Sequence, residues 1–244
     1  MFNAKIQRQK VVEWIKNWFI ENGDGCNAVI GISGGKDSTV AAALCVEALG
    51  RDRVIGVLMP NGEQKDIDDS YRACQIFGIK KYTFNIQQIE RAFRYKLLLN
   101  DFNNIAEQSV INLAPRIRMA MLYFISQSRN GRVCNTCNLS EDYVGYATKY
   151  GDAAGDFAPL KSFTTEEVIA IGREIGLPEK LLTKAPADGL CGKTDEDNLG
   201  FTYEVLNKYI RTGEIEDAEA KEKIDRLHRI NAFKERVIDR YEFE

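Results

Sequence analysis

The sequence predicts an α/β protein: a parallel sheet flanked by helices on both faces, with a helical C-terminal part. Three observations carry this. Short apolar runs alternate with amphipathic stretches of helical length, the pattern of a parallel sheet with crossover helices. One run, residues 54–59, is apolar throughout, as a strand covered on both faces must be. The string Ser33-Gly34-Gly35-Lys36-Asp37-Ser38 then joins the first apolar run to a helix, at the carboxyl edge where such sheets bind ligands.

Residues 6–21 carry Val11, Val12, Ile15, Trp18 and Phe19 at helical spacing. The first strand is expected over 26–32 and the next helix over 38–49, stopped by Gly50. Strand two follows at 54–59, a helix at 66–77 stopped by Gly78, strand three at 82–86 and a helix at 87–99. Pro115 is tolerated only in a first turn, so the long helix to Arg129 is expected to start near Asn112, which can cap it. A fourth strand is expected at 132–136, then a helix to about 148 capped by Ser140. Thr164-x-x-Glu167 is a capping box for a helix ending at Gly176, and a short helix covers 178–182. Residues 183–200 read as loop, and helical patterns return around 203–210 and 218–237. No repeat, low-complexity tract or linker divides the chain, which points to a single domain over 1–244.

The totals exclude several classes. Composition is that of a soluble globular protein, 44% hydrophobic and 28% charged. A net charge of -3 gives no global basic field for nucleic acid. The first ten residues are polar, without a signal-peptide apolar region, and no run is long and apolar enough for a membrane span. A cytoplasmic location is expected. The six cysteines are scattered, not a disulfide framework; Cys45 and Cys74 fit small buried positions in helices. The single histidine, His228, argues against histidine-rich metal sites.

The Gly-Gly loop is the centre of the chemistry. Adjacent glycines let the backbone turn sharply and leave N–H groups uncovered, and the following helix aims its positive end at the same spot. That is a site for phosphate. Asp37 beside a phosphate needs a cation between them, and Mg²⁺ takes carboxylates together with phosphate oxygens. The spacing is neither that of the P-loop nor that of the dinucleotide fingerprint. Further strings follow. Arg116 and Arg118 lie two apart at a helix start, about 200° around the helix, so they serve different partners. Thr136 and Glu141 lie at the carboxyl edge after strand four, where Glu141 becomes a second Mg²⁺ ligand if it meets Asp37. Lys149, Asp152 and Asp156 stand in a Gly-rich loop.

These strings resemble one family. The Ser33–Ser38 loop is similar to the Ser-Gly-Gly-x-Asp-Ser loop of the ATP pyrophosphatases. With the strings at 112–118, 136–141, 149–156 and 184–201 in this order, the whole chain resembles the ammonia-dependent NAD synthetases. That resemblance implies an adenine-nucleotide alpha-hydrolase-like, Rossmann-like fold and ATP-dependent amidation of deamido-NAD with ammonia. It implies a homodimer with deamido-NAD near the subunit boundary, and the first helix, with Trp14 and Trp18, is a candidate surface; the charge balance and the lack of a long apolar run give the expectation of no nucleic-acid or membrane partner. Larger relatives add a glutaminase domain, for which 244 residues leave no room.

Residue by residue, the resemblance implies that Gly31, Ile32, Ser33, Gly34, Gly35, Lys36, Asp37 and Ser38 bind ATP, with Thr136, and that Asp37 and Glu141 hold Mg²⁺. Arg116, Lys149, Asp156, His228 and Arg229 contact deamido-NAD. Thr165 and Ala187 occupy positions where the family's ATP contacts are usually a lysine and a hydroxyl residue; Lys161 is a nearby substitute for the lysine. Arg229 stands for the family's lysine. The implied reaction forms an acyl-adenylate and pyrophosphate, and ammonia then displaces AMP. Asp37, Lys149 and Asp152 are the candidate catalytic residues, and Asp152 or Asp156 could deprotonate ammonium. Two other readings compete: a tRNA-thiolating ATP pyrophosphatase using Cys134-x-x-Cys137, and a nucleotide sensor without turnover.

Overall fold

The computed structural model describes residues 2–100, 102–184, 195–236, 238 and 240–243. The sheet has four parallel strands in the order β3-β2-β1-β4: β1 (Asn27–Gly31), β2 (Val54–Leu58), β3 (Lys80–Thr83) and β4 (Gly131–Cys134). The helices, in chain order, are α1 (Ala4–Asn22), α2 (Lys36–Leu49), α3 (Ile67–Phe77), α4 (Gln87–Leu98), α5 (Glu107–Ile111) and α6 (Leu113–Ser128). After β4 come α7 (Leu139–Val144), α8 (Thr165–Ile175), α9 (Glu179–Leu182), α10 (Asp195–Leu199), α11 (Tyr203–Thr212) and α12 (Ala218–Asn231). None of the described helices is long and apolar enough to cross a membrane.

The strands sort their side chains by parity, as a pleated sheet requires. Ala28, Ile30, Val54 and Leu58 join the core under α1, α2, α3 and α8. Val29, Ile55 and Val57 join the core under α6, with Ala114 and Ile125. All of β2 is buried, which explains its unbroken apolar run. A third core of Val144, Phe201, Leu206 and Ile224 binds α7, α10, α11 and α12, the expected helical C-terminal part.

Several boundaries differ from the sequence expectation for identifiable reasons. β3 starts at Lys80 rather than 82, because it is an edge strand whose lysines face solvent and hide the pattern. Asn112 does not cap α6: its backbone is helical, and its Oδ1 instead accepts from the Thr148 hydroxyl at 2.9 Å. α7 is capped by Asn138, not Ser140, and stops at Gly145 (φ 67°) rather than near 148. Residues 195–199 form α10 instead of loop. α12 ends at Asn231, whose side-chain amide donates to the Val144 carbonyl at 3.0 Å. The Thr164/Glu167 box is present, with Glu167 accepting from the Thr164 N–H at 2.8 Å.

The order of the strands positions the site. The chain leaves β1 toward one neighbour, β2, while β4 pairs on the other side of β1. The loops after β1 and β4 therefore open beside each other at the carboxyl edge, where the winding reverses.

Candidate active site

The phosphate loop is tighter than the string alone shows. Helix α2 begins at Lys36, two residues before the expected Ser38, so Lys36 and Asp37 both stand in its first turn. The loop folds on its hydroxyls. Ser38 Oγ donates to the Gly35 carbonyl at 3.2 Å and lies 3.1 Å from Ser33 Oγ, and Thr39 Oγ1 donates to the Gly35 carbonyl at 2.7 Å. Gly35, at the N-cap, gives α2 no side-chain cap. Among the described residues no side chain caps the N–H groups of that first turn, a geometry that suits an anion. Gly34 has φ +80°, and a Cβ there would lie 2.7 Å from the Ser70 nitrogen at the start of α3. Only glycine fits.

The loop after β4 meets this one through Asn138. Its side-chain oxygen caps α7, accepting from the N–H groups of Ser140 (3.0 Å) and Glu141 (3.2 Å). Its side-chain amide donates to Asp37 Oδ1 at 3.0 Å. Its own N–H donates to Glu141 Oε2 at 3.4 Å. One residue thus holds two carboxylates a hundred residues apart in the chain. Ser140 ties in the helices behind: its hydroxyl donates to Asn207 Oδ1 at 2.6 Å and accepts from the Thr165 N–H at 3.0 Å. Thr165 also turns its hydroxyl to Asn138 Oδ1 at 3.4 Å, so it supports the site from α8. Thr136 is half-buried on the same loop.

The electrostatics are those of a crowded anionic spot. Desolvation, then the Asp37 carboxylate, push Glu141 up to about 8, against the pull of Lys36. Lys36 is 5% exposed and pairs with Asp37 Oδ2 at 3.0 Å. Burial alone would lower its pKa, but Asp37 and Glu141 outweigh that and raise it. Two carboxylates in one partly buried place, beside uncapped N–H groups, is a donor set that suits a divalent cation carrying phosphates.

The other predicted residues lie around a second loop, between α7 and α8. Arg116 reaches the Lys149 carbonyl through Nε at 3.4 Å, while Arg118 donates to the Met59 carbonyl at 3.0 Å, so the two arginines do serve different partners. Lys149 donates to the Phe233 carbonyl at 2.8 Å, with its ammonium over the rings of Tyr150 and Phe233. Asp152 Oδ1 accepts from the Thr148 N–H at 2.9 Å, closing the loop. Asp156 accepts from the Val133 N–H at 2.7 Å and the Tyr123 hydroxyl at 3.3 Å, which docks the loop on β4. His228 stacks on Tyr143, its Nδ1 2.8 Å from the Tyr143 carbonyl, and Arg229 is exposed beside it on α12. Lys161 pairs with Asp142 at 3.3 Å and with Glu235, away from the phosphate loop's contacts. Ala187 lies outside the described residues.

Sequence reasoning missed Asn138, although Asn138-x-x-Glu141 is itself a capping-box spacing that could have revealed it. It also gave no role to Asp195, whose carboxylate accepts from the Tyr203 hydroxyl at 3.4 Å under Lys36. The paired cysteines have a structural account. Burial pushes both thiols well up; Cys134 donates to the Asn135 carbonyl and Cys137 to the Asp152 carbonyl, at 3.3 and 3.4 Å. Among the described residues, no group of histidine, cysteine and acidic side chains forms a metal cluster.

Known proteins share this fold. The family model for NAD synthase matches residues 7–242. An NH(3)-dependent NAD(+) synthetase of Pyrococcus horikoshii is 40% identical over 202 residues, 82% of this chain and 77% of that one. The NMN synthetase of Francisella tularensis superposes with a TM-score of 0.90 at 32% identity, covering 100% of both chains. The NH3-dependent NAD synthetase of Campylobacter jejuni superposes at 0.79 with 29% identity, over 99% of this chain and 100% of that one. The family match spans residues 7–242, nearly the whole chain, and with it both loops that build the carboxylate pair: the chain belongs to the NAD synthase family.

Proposed function

We propose that the protein is a carbon–nitrogen ligase that amidates the nicotinate carboxylate of deamido-NAD with ammonia, splitting ATP to AMP and pyrophosphate. The observation that carries this reading is Asn138 holding Asp37 and Glu141 together at a phosphate loop of a NAD synthase-family fold. A carboxylate is a poor acyl donor because its leaving group would be oxide. Attack by that carboxylate on the α-phosphorus of ATP makes an acyl-adenylate, whose leaving group is AMP. Both steps need positioning and charge neutralisation rather than an enzyme nucleophile. The first-turn N–H groups of α2 receive the departing pyrophosphate. Asp37 and Glu141 would hold Mg²⁺, which supplies positive charge to the polyphosphate. Arg116 and Lys149, cations on the rim of the site, suit the anionic pyridine nucleotide. Asp152 lies on the same loop and is the carboxylate assigned to ammonium. His228 and Arg229, on α12, are assigned to the far end of the dinucleotide. Thr136 and Ala187 are assigned to ATP, whereas Thr165, buried against Ser140 and Asn138, serves the ATP site indirectly.

A second substrate is supported by one observation. The superposition on an NMN synthetase spans both chains entirely, at a higher TM-score than that on the Campylobacter jejuni NAD synthetase. The corresponding acid is nicotinate mononucleotide, whose amidation uses the same chemistry on half the molecule.

The assembly reading is a homodimer, with residues 1–244 acting as one catalytic unit per copy. On the first helix Trp18 packs against Phe157, ring centroids 5.0 Å apart, while Ile6, Trp14 and Ile20 stay exposed. A larger apolar surface lies on α4 and nearby, where Phe93, Tyr95, Leu98, Leu99, Phe102 and Phe124 are all more than half exposed. A patch of that kind marks a partner surface.

The test is a product assay with ATP, Mg²⁺ and ammonium, given deamido-NAD, nicotinate mononucleotide or neither. AMP and pyrophosphate should appear only with a pyridine acid, and the ratio of kcat/KM ranks the two acids. AMP release without either acid, or activity with glutamine but not ammonium, overturns the reading. Release of AMP dependent on tRNA would favour the thiolating alternative.

A further inference from the structure

The lysine inside the phosphate loop has a position that its neighbours explain. Lys36 is almost fully buried, and lysine is rarely so unless it is paired. Its ammonium stands 3.0 Å from Asp37 Oδ2 and 6.0 Å from the centroid of the Tyr203 ring. The other oxygen of Asp37 accepts from Asn138 Nδ2 at 3.0 Å. Both oxygens of the first metal carboxylate are therefore taken by the chain itself. The two partners differ in freedom. Asn138 is the N-cap of α7, and its side-chain oxygen is held by the N–H groups of Ser140 and Glu141. Lys36 carries its charge at the end of a flexible four-carbon stem. When a cation comes to Asp37, Lys36 is the partner that yields.

We propose that Lys36 is a resident counter-cation for the Asp37–Glu141 pair, displaced by the divalent metal and passed to the polyphosphate of ATP. The proposal rests on the reading of Asp37 and Glu141 as the residues that hold the metal. Its physical content is a competition. In the nucleotide-free enzyme the ammonium offsets the charge of the Asp37 carboxylate that the metal would otherwise relieve, so metal alone binds weakly. With metal and polyphosphate both present, Asp37 and Glu141 would hold the metal and the ammonium would be free to pair with phosphate oxygens. Metal and nucleotide then bind as a coupled pair, because each supplies what the other's arrival removes. The Tyr203 ring under the ammonium is itself tied to Asp195 through its hydroxyl, at 3.4 Å.

The test measures metal binding, not turnover. Mn²⁺ stands in for Mg²⁺, and free Mn²⁺ is read by its electron paramagnetic resonance signal in the full-length enzyme. Lys36→Gln keeps a polar side chain of similar reach but removes the charge. Without nucleotide, K36Q should bind Mn²⁺ about ten- to a hundredfold more tightly than the parent, the range of one charge-assisted bond. With Mn²⁺ saturating, K36Q should bind pyrophosphate more weakly by a similar factor. Thermal melts with and without Mn²⁺ establish that each variant is folded; if K36Q is not, Lys36→Met carries the same comparison. Equal or weaker Mn²⁺ binding by the lysine variant overturns the displacement, and unchanged pyrophosphate binding overturns the transfer to ATP. Asp37→Asn separates the two levels. If it leaves Mn²⁺ binding in the presence of pyrophosphate intact, the metal assignment itself is wrong. If it abolishes that binding while K36Q changes nothing, only the role of Lys36 fails.

Discussion

The two halves of the candidate site are built to different standards. On the phosphate side, Asp37, Asn138, Glu141, Ser140, Thr165 and Asn207 form a continuous network, with Asn138 and Ser140 fully buried. On the acid side, Arg116 and Lys149 rest on main-chain carbonyls at the surface. The difference teaches where order is required before substrate arrives. A departing pyrophosphate must meet donors that are already in place, since reorganising them during the reaction would add to the barrier. A nucleotide that binds first can instead lift surface cations off their own backbone, trading one hydrogen bond for another.

The largest expected effect comes from the core of the built half. Asp37→Ala should lower AMP and pyrophosphate formation by on the order of a thousandfold, with the circular dichroism spectrum unchanged. Near-normal turnover in that variant would show the phosphate half is not what it is taken to be. Next is Asn138→Ala, which removes a helix cap and a bond to Asp37 together. A loss of about 2–3 kcal/mol in urea unfolding is expected, alongside lower kcat. A stable, inactive variant would mean the network serves chemistry without holding the fold.

The acid half should behave in the opposite way. Lys149→Ala should raise KM for the pyridine acid roughly 10- to 100-fold, with stability changed by less than about 0.5 kcal/mol. If it unfolds the protein instead, its contact with Phe233 matters structurally and the contrast between halves collapses. The smallest effect is a pH slope. Burial and the Asp37 carboxylate raise Glu141 to about 8, and burial raises Asp142 to about 6. Both lie above ordinary carboxylate values, so the folded chain keeps protons that the unfolded chain has lost. Their contribution is greatest below the unfolded values and is lost as pH rises through 6 and 8. Melting temperature in EDTA should therefore fall from pH 5 to 8, and Mg²⁺ should flatten the upper part of the slope. An equal slope with and without Mg²⁺ would separate Glu141 from the metal.

The same division governs what was legible beforehand. The order of strands and helices, the loop at 33–38 and the box at Thr164 follow local rules, and a sequence displays local rules directly. Asp37 and Glu141 were paired only through a family resemblance, because their meeting depends on β4 inserting beside β1. Asn138 went unread because Ser140, two residues on, is an equally good cap by type; the choice was made by Asn207, which claims the Ser140 hydroxyl. Lys36 was legible as a member of the loop, but not its burial, to which Tyr203 and Asp195 contribute from the far end of the chain. Residues that act alone were visible, and those whose role is given by a distant neighbour were not.

The close approach of Gly34 to the start of α3 has a consequence for how this loop can be inherited. A side chain at 34 would strike the Ser70 nitrogen, whereas one at Gly35 would come no nearer than 3.4 Å to the Ser33 hydroxyl. The two glycines look alike in the string, but only the first is dictated by another part of the molecule. The anion cradle is therefore not a portable cassette. Grafted onto a different strand and helix without α3 behind it, the same residues would have no wall to fold against.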